Sequence, residues 1–310
     1  MEIRQISGYH IFEQIGEGIN GVVYKAWDNN QQRPAAIKIL RQPPSPDLFR
    51  IYLSTAKALI HADDPNLCRI YEVGKTDTEA YIIMELAEGI SLKEILLRCK
   101  EVDYDFIDLA FRITRGLKTI HAMKLVHGNL KPSNIMISNA GEVKLLDAGL
   151  THFRNFQSDP EFVAPYEPYH YISPEQILNQ PLTPKSDLFS LGVILYQLAS
   201  GSQPFTGKNE DELCDAILNY RPDFAGLREH GVSGDQILLI ERLLAKDASE
   251  RITSSGELLI TLKEMRSFHK DFEKLHAFFK PAPSPRTYLS VAVLVMLLLI
   301  FWYVVTSFKQ

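Results

Sequence analysis

From Tyr9 to Ile15 apolar and polar side chains alternate with a period close to two, the pattern of a strand with one buried face. This strand runs into Gly16-Glu-Gly18-Ile-Asn-Gly21-Val-Val23, and Tyr24-Lys-Ala-Trp27 predicts a second strand behind it. Ala35-Ala36-Ile37-Lys38-Ile39-Leu40 follows as an apolar strand broken by a single charge. Ser91-Leu-Lys-Glu94 has the spacing of a capping box and opens a helix. Phe106 to Met123 is apolar at helical intervals and predicts a helix that closes at Lys124. Near the C-terminal end Met265, Phe268, Phe272, Leu275 and Phe279 recur three and four apart, on one helix face. That face either packs on the body or supports self-association as a homodimer stalk; two heptads are too short to specify a coiled coil. Lys280-Pro-Ala-Pro-Ser-Pro-Arg286 cannot continue the helix and reads as an extended linker.

From Leu289 to Phe308 no residue is charged. About 20 residues rising ~1.5 Å each cross a ~30 Å hydrocarbon layer, so the segment predicts a single transmembrane helix. A buried core helix is the competing reading, but Val291 to Ile300 presents no polar side. Phe301, Trp302 and Tyr303 suit the far interface. Lys270, Lys274, Lys280 and Arg286 outweigh Lys309, which places the N-terminal body in the cytoplasm and makes the chain tail-anchored.

The 310-residue chain as a whole has an ordinary globular composition, 45% hydrophobic and 23% charged, which excludes a collagenous or disordered class. The three cysteines, Cys68, Cys99 and Cys214, share no CxxC spacing, so neither structural zinc nor a disulfide framework is expected. A net charge of -5 gives no general attraction for nucleic acid, and none is expected as a partner. The nine histidines include no HExxH pair, and there is no GxSxG elbow.

The candidate chemistry begins with the glycines. At the first, third and sixth places of the loop, Gly16, Gly18 and Gly21 let a hairpin tip bring backbone N–H groups close to phosphate oxygens. A dinucleotide fold needs a helix directly after such a loop, and here a β-rich stretch follows. Lys38 inside its apolar strand needs an anion if it is buried. Phosphate answers that need, and an edge strand reaching solvent removes it; the residue alone leaves both open.

The set of motifs resembles the protein kinase family. Tyr81-Ile-Ile-Met84-Glu-Leu-Ala-Glu-Gly89 is similar to its fifth strand and hinge, with Met84 as gatekeeper. His127-Gly-Asn129-Leu-Lys131-Pro-Ser-Asn134 resembles the catalytic loop, Leu145-Leu-Asp147-Ala-Gly149 the DFG segment, and Ser173-Pro-Glu175 the APE motif. Ser186-Asp187-Leu-Phe-Ser-Leu-Gly192 resembles the helix that anchors the large lobe, and Arg251 falls where the family pairs an arginine with the APE glutamate. The Ser-Pro-Glu-Gln wording is closest to bacterial eukaryotic-like Ser/Thr kinases. The resemblance implies a bilobed α+β kinase fold, with an N-lobe over 1–88, a C-lobe over 89–266, a juxtamembrane stalk and linker over 267–288 and the span over 289–308. It also implies ATP and Mg²⁺ as cofactors: Lys38 on the α- and β-phosphates, Asn134 and Asp147 on the metal, and Val23, Ala36 and Met136 around adenine.

Three departures bear on turnover. Asn129 stands where the family's aspartate takes the substrate proton, and a neutral amide is no base; such help is typically worth ~10²–10⁴-fold. Counting back from Asp64-Pro65-Asn66-Leu67, the expected partner of Lys38 is Thr55, and no acidic residue lies from Leu48 to Ala62, so Lys38 is expected to pair with Asp147 or with phosphate. Tyr166-Glu-Pro168-Tyr-His-Tyr171 lacks the usual threonine, and Gly128 replaces an arginine. Asp187 is expected to cap the catalytic-loop backbone, and His127 to be a core residue. The expectation is a membrane-tethered, nucleotide-binding pseudokinase that signals by conformation or docking. The alternatives are an active atypical Ser/Thr kinase and a scaffold that binds no nucleotide. Substrate and protein partner are not readable from these residues.

Overall fold

The computed structural model describes residues 5–18, 21–40, 46–76, 79–98, 106–149 and 169–278. The expected linker and span, Cys99 and Pro168 lie outside them. Among the described residues no helix is long and apolar enough to cross a membrane. The chain divides into two compact units, Met1–Leu262 and Lys263–Gln310.

The first unit begins with a six-stranded antiparallel sheet in the order β1-β2-β3-β4-β6-β5. Its strands are β1 (Gln5–Ile6), β2 (Tyr9–Gly18), β3 (Gly21–Asp28), β4 (Arg33–Leu40), β5 (Ile70–Lys75) and β6 (Ala80–Met84). Helix α1 (Pro46–Ile60) lies between β4 and β5 in the chain and packs against β5. The strand predicted to end at Ile15 continues to Gly18, because Gly16, Glu17 and Gly18 pair with Val23, Val22 and Gly21 and make the glycine loop part of the hairpin.

Strand β4 is buried from Ala35 to Leu40 because both faces of the sheet are covered. Ala35, Ile37 and Ile39 pack with Tyr9, Ile11, Tyr81 and Ile83. Ala36 and Leu40 pack on the other face with Ala56 and Leu59 of α1 and with Ile82 and Met84. This two-sided burial explains why the strand's sequence does not alternate.

The second half of this unit is mainly helical. A three-stranded sheet, β7 (Ile90–Ser91), β8 (Ile135–Ile137) and β9 (Val143–Leu145), sits among helices α2 (Leu92–Arg98) and α3 (Phe106–Ala122). The capping box at α2 forms: Ser91 Oγ accepts from Glu94 N at 3.2 Å, and Glu94 Oε2 accepts from Ser91 N at 3.1 Å. Helix α3 ends a residue earlier than its pattern predicts, and Lys124, at φ 59°, turns the chain toward the catalytic loop.

Helices α4 (Pro174–Ile177), α5 (Pro184–Ser200), α6 (Glu210–Asn219), α7 (Phe224–Glu229), α8 (Gly234–Leu243) and α9 (Ser255–Phe278) follow. Helix α5 is the centre of this half: every residue from Ser186 to Tyr196 is buried, as expected of a helix apolar all round. Gly192 permits the close approach of α8, since a Cβ there would lie 2.8 Å from Leu243 Cβ. Helix α9 runs uninterrupted through the expected boundary at residue 266.

The family ion pair forms as expected. Arg251 Nη1 donates to Glu175 Oε1 at 2.7 Å, and the guanidinium also donates to the carbonyls of Ala245, Lys185 and Lys246. The Arg251 side chain is fully buried. Removing it leaves a buried carboxylate without its counter-charge, so Arg251→Leu is expected to cost about 3–5 kcal/mol in urea unfolding, with part of the loss recovered in Arg251→Leu/Glu175→Leu.

Candidate active site

The site is built where β4, the catalytic loop and the segment after β9 meet. Lys38 is paired in register with Val23 on β3 and Ile82 on β6, and it shares a face with Ala36 and Leu40. It is 7% exposed, and its ammonium lies 2.6 Å from Asp147 Oδ2. The buried-lysine reading holds, and the anion is a carboxylate of the chain itself. Thr55 is buried on α1, and a Cβ on Gly149 would come within 2.8 Å of its Cγ2. The helix position that faces the Asp147–Gly149 segment thus carries a methyl and a hydroxyl but no charge, and Asp147 takes the lysine.

Asp147 sits at φ 57°, a left-handed conformation that aspartate tolerates better than most residues. The preceding peptide is fixed by Leu146 N donating to Asn134 O at 2.9 Å, which brings Asp147 beside the catalytic loop. Burial pushes the Asp147 carboxyl up, but the charge and hydrogen bond of Lys38, with smaller help from His127 and Lys131, hold it below the usual carboxylate range. It is an anion at neutral pH.

The catalytic loop is held from beneath. Asp187, 1% exposed, accepts from His127 N and Gly128 N, both at 2.7 Å, and also contacts His121 Nε2 at 2.8 Å. This is the expected capping role. His127 is fully buried, and burial lowers its pKa against the opposing pull of Asp187 and Asp147, so the imidazole is neutral and structural. Its Nδ1 accepts from Asn129 N at 3.3 Å. Asn134 Nδ2 donates to Asn129 O at 2.8 Å, which leaves the Asn134 amide oxygen as the atom for a cation. Among the described residues no side chain hydrogen-bonds to the Asn129 carboxamide, and the nearby Asp187 carboxylate is occupied by backbone N–H groups.

Asp147 and Asn134 form an all-oxygen donor set, the kind a hard cation such as Mg²⁺ takes together with substrate phosphates. Among the described residues there is no cluster of three or more His, Cys, Asp or Glu able to hold a metal by itself, and Mg²⁺ beside a nucleotide does not require one.

Of the residues expected at the hinge and around adenine, Val23, Ala36 and Met84 belong to one apolar cluster, and Met136 comes from β8 in the second sheet. Of the three loop glycines, Gly16 and Gly18 leave space: a Cβ at Gly16 would meet only Val23, at 3.8 Å, and one at Gly18 would meet nothing. At Gly21 a Cβ would overlap the Ile39 carbonyl, a constraint additional to the expected one. The missing side chain lets β3 and β4 close.

Two features were not foreseen. Lys144 of β9 pairs with the hinge residue Glu85 at 2.8 Å, and Glu85 also accepts from Arg69 N. Gln176 donates to Gly128 O at 3.0 Å. Neither has a signature in local spacing, because each links residues tens of positions apart. Cys68, beside the hinge, is no nucleophile: burial, with Glu85 and Asp147, pushes its thiol up to about 12.

The comparisons agree with this geometry. The serine/threonine-protein kinase PrkC of Bacillus subtilis is 30% identical over 270 residues, covering 84% of this chain and 41% of its own length. PknL of Mycobacterium tuberculosis is 33% identical over 205 residues, 65% of this chain and 51% of its own. The probable serine/threonine-protein kinase PknB of Lactococcus lactis is 28% identical over 284 residues, 88% and 44% respectively. The chain therefore spans about half or less of these relatives. The crystal structure of Rad53 1-466 in complex with AMP-PNP shares the fold with a TM-score of 0.68 at 23% identity, over 81% of this chain and 64% of that one. The family described as Protein kinase domain matches residues 9–261, from the first strand of the glycine hairpin into α9, and the chain belongs to that family.

Proposed function

We propose that this chain is an ATP-dependent serine/threonine phosphotransferase of atypical kind, which binds Mg-ATP in the usual place and transfers phosphate slowly, without a carboxylate base. The single observation that carries this reading is the Lys38–Asp147 pair, next to Leu146 whose N–H is held by Asn134 O, which supports phosphate binding by the lysine and metal binding by Asp147 and Asn134. The names of the relatives, serine/threonine kinases, support it as well. A second reading, a pseudokinase that binds nucleotide and signals by conformation, is favoured by Asn129.

Phosphoryl transfer through a loose transition state is largely positioning and charge stabilisation, so it depends less on a base than acyl transfer does. Lys38 would exchange its contact with Asp147 for the phosphates. Asp147 and Asn134 would hold Mg²⁺, which would supply positive charge against the charge that develops on the transferring phosphate. Lys131, close enough to act on Asp147, would add positive charge on the same side. Asn129 can accept a hydrogen bond from the substrate hydroxyl through its amide oxygen and so orient it, while the proton leaves to solvent or to phosphate. The apolar segment 289–308 would anchor the domain in a membrane with the kinase body facing the cytoplasm, and the helix face from Met265 to Phe279 would serve as its stalk.

Three measurements test this on the full chain. Mg-ATP is expected to raise the thermal midpoint, with about 2.7 kcal/mol of stabilisation at 100 times Kd, and Lys38→Ala or Asp147→Asn is expected to remove the shift. With [γ-³²P]ATP and dephosphorylated casein, the unmodified chain is expected to transfer measurably, Lys38→Ala to abolish transfer, and Asn129→Asp to raise kcat by on the order of 10²–10⁴. Transfer by Asn129→Asp alone selects the pseudokinase reading. The third is the pH dependence of stability without nucleotide. Because the folded Asp147 pKa lies below its unfolded value near ~3.9, its stabilisation is fully present above that value and is lost as pH falls through the folded pKa. In Lys38→Met the buried carboxyl loses its main counter-charge and its pKa rises, so the contribution changes sign: urea midpoints of the variant should fall relative to the unmodified chain as pH rises above ~4.

A further inference from the structure

Gln176 looks at first like a helix cap and nothing more. It is the N3 residue of α4, and its Oε1 accepts from the N-cap Ser173 N at 3.0 Å and Ser173 Oγ at 3.3 Å. A glutamate would complete that box equally well. The amide has a second end, however, and its Nε2 donates to Gly128 O at 3.0 Å, across 48 positions of sequence. A carboxylate has no hydrogen to give to that carbonyl and would face it with like charge. Only an amide both closes the cap and holds the loop.

The carbonyl it holds is the one that orients residue 129. Gly128 O belongs to the peptide group that leads into Asn129, so the tilt of that plane sets where the Asn129 side chain projects. Gly128 is at φ 65° with its N–H on Asp187, and it has no side chain to fix it. The remaining backbone groups of residue 129 are also held, N–H by His127 and C=O by Asn134. Gln176 and Ser173 are buried, so water does not compete for these bonds.

We propose that Gln176 is a positioning residue for phosphoryl transfer: through Gly128 O it locks the peptide plane that aims residue 129 at the substrate hydroxyl, and it ties that aim to α4, whose N-cap and first turn are Ser173-Pro-Glu-Gln176. This deepens the phosphotransferase reading and rests on it for its kinetic part; the locking of the loop itself does not depend on transfer.

The test compares the full chain with Gln176→Leu and Gln176→Glu, each also in the Asn129→Asp background. Three quantities are read: Mg-ATP affinity by thermal shift, kcat and KM on dephosphorylated casein, and amide hydrogen exchange of the peptide covering 127–131. Gln176→Leu is expected to lower kcat by on the order of 10- to 10²-fold with Mg-ATP affinity within about twofold of the unmodified chain. It should also speed exchange at 127–131 by about tenfold. Gln176→Glu keeps the cap. Its kcat should fall further below that of the unmodified chain as pH rises, because only the protonated carboxyl can donate to Gly128 O.

A kcat that changes only in step with nucleotide affinity, or exchange at 127–131 that does not respond to Gln176→Leu, overturns the proposal. So does a Gln176→Glu to unmodified kcat ratio that stays constant with pH, which is the signature of capping alone. If the unmodified chain transfers nothing, the phosphotransferase reading has failed, and the Asn129→Asp pair decides the positioning role by the same criteria. If that background is inactive as well, hydrogen exchange decides the locking: faster exchange confined to 127–131 upholds it and unchanged exchange removes it.

Discussion

One buried carboxylate organises the large helical half of this protein. Asp187 enters the core on the first turn of α5, a helix with no solvent face along most of its length, and its two oxygens accept from consecutive N–H groups of the catalytic loop. Leaving those donors unpaired in the interior would cost about 1–3 kcal/mol each. The loop therefore cannot move independently of α5. His127, Asn129, Asn134 and, through Leu146, Asp147 are all placed from that one anchor.

The smaller half contributes Lys38, and the two halves meet electrostatically at the Lys38–Asp147 pair. Helix α1 brings Thr55 to the Asp147–Gly149 segment but supplies no acid there, and among the described residues the lysine's carboxylate partner is Asp147. In a pair this close and this buried, the Lys38 ammonium holds the Asp147 carboxyl below the usual carboxylate range against the opposing effect of burial.

Much of this was legible in the sequence because it rests on residue type at fixed spacing. The Ser91 capping box follows from local spacing, whereas the partner of the β4 lysine, the Asp187 cap, the Glu175–Arg251 pair and the uncharged Thr55 position were implied by the resemblance to the kinase family, and each of those contacts is present. The close approach of Gly21 to the Ile39 carbonyl of a neighbouring strand is a further constraint on that position, and no local pattern records it. The end of α3 shifted by a residue because Lys124 adopts a left-handed turn that periodicity does not encode. Gln176 was hidden for a related reason: its cap is local and visible, whereas its bond to Gly128 exists only once α4 and the loop are folded together.

Strand β4 carries a liability beyond its chemistry. It pairs with a strand on each side and is covered on both faces, so in the native state Ala35 to Leu40 offers no free strand edge to another chain. On the ribosome the same six residues are a short, β-prone, nearly neutral stretch of the sort that zips onto copies of itself. Lys38 is the only side chain in that stretch that opposes such stacking. The ammonium that grips Asp147 in the finished molecule is thus also the one charge that interrupts this stretch in the nascent chain.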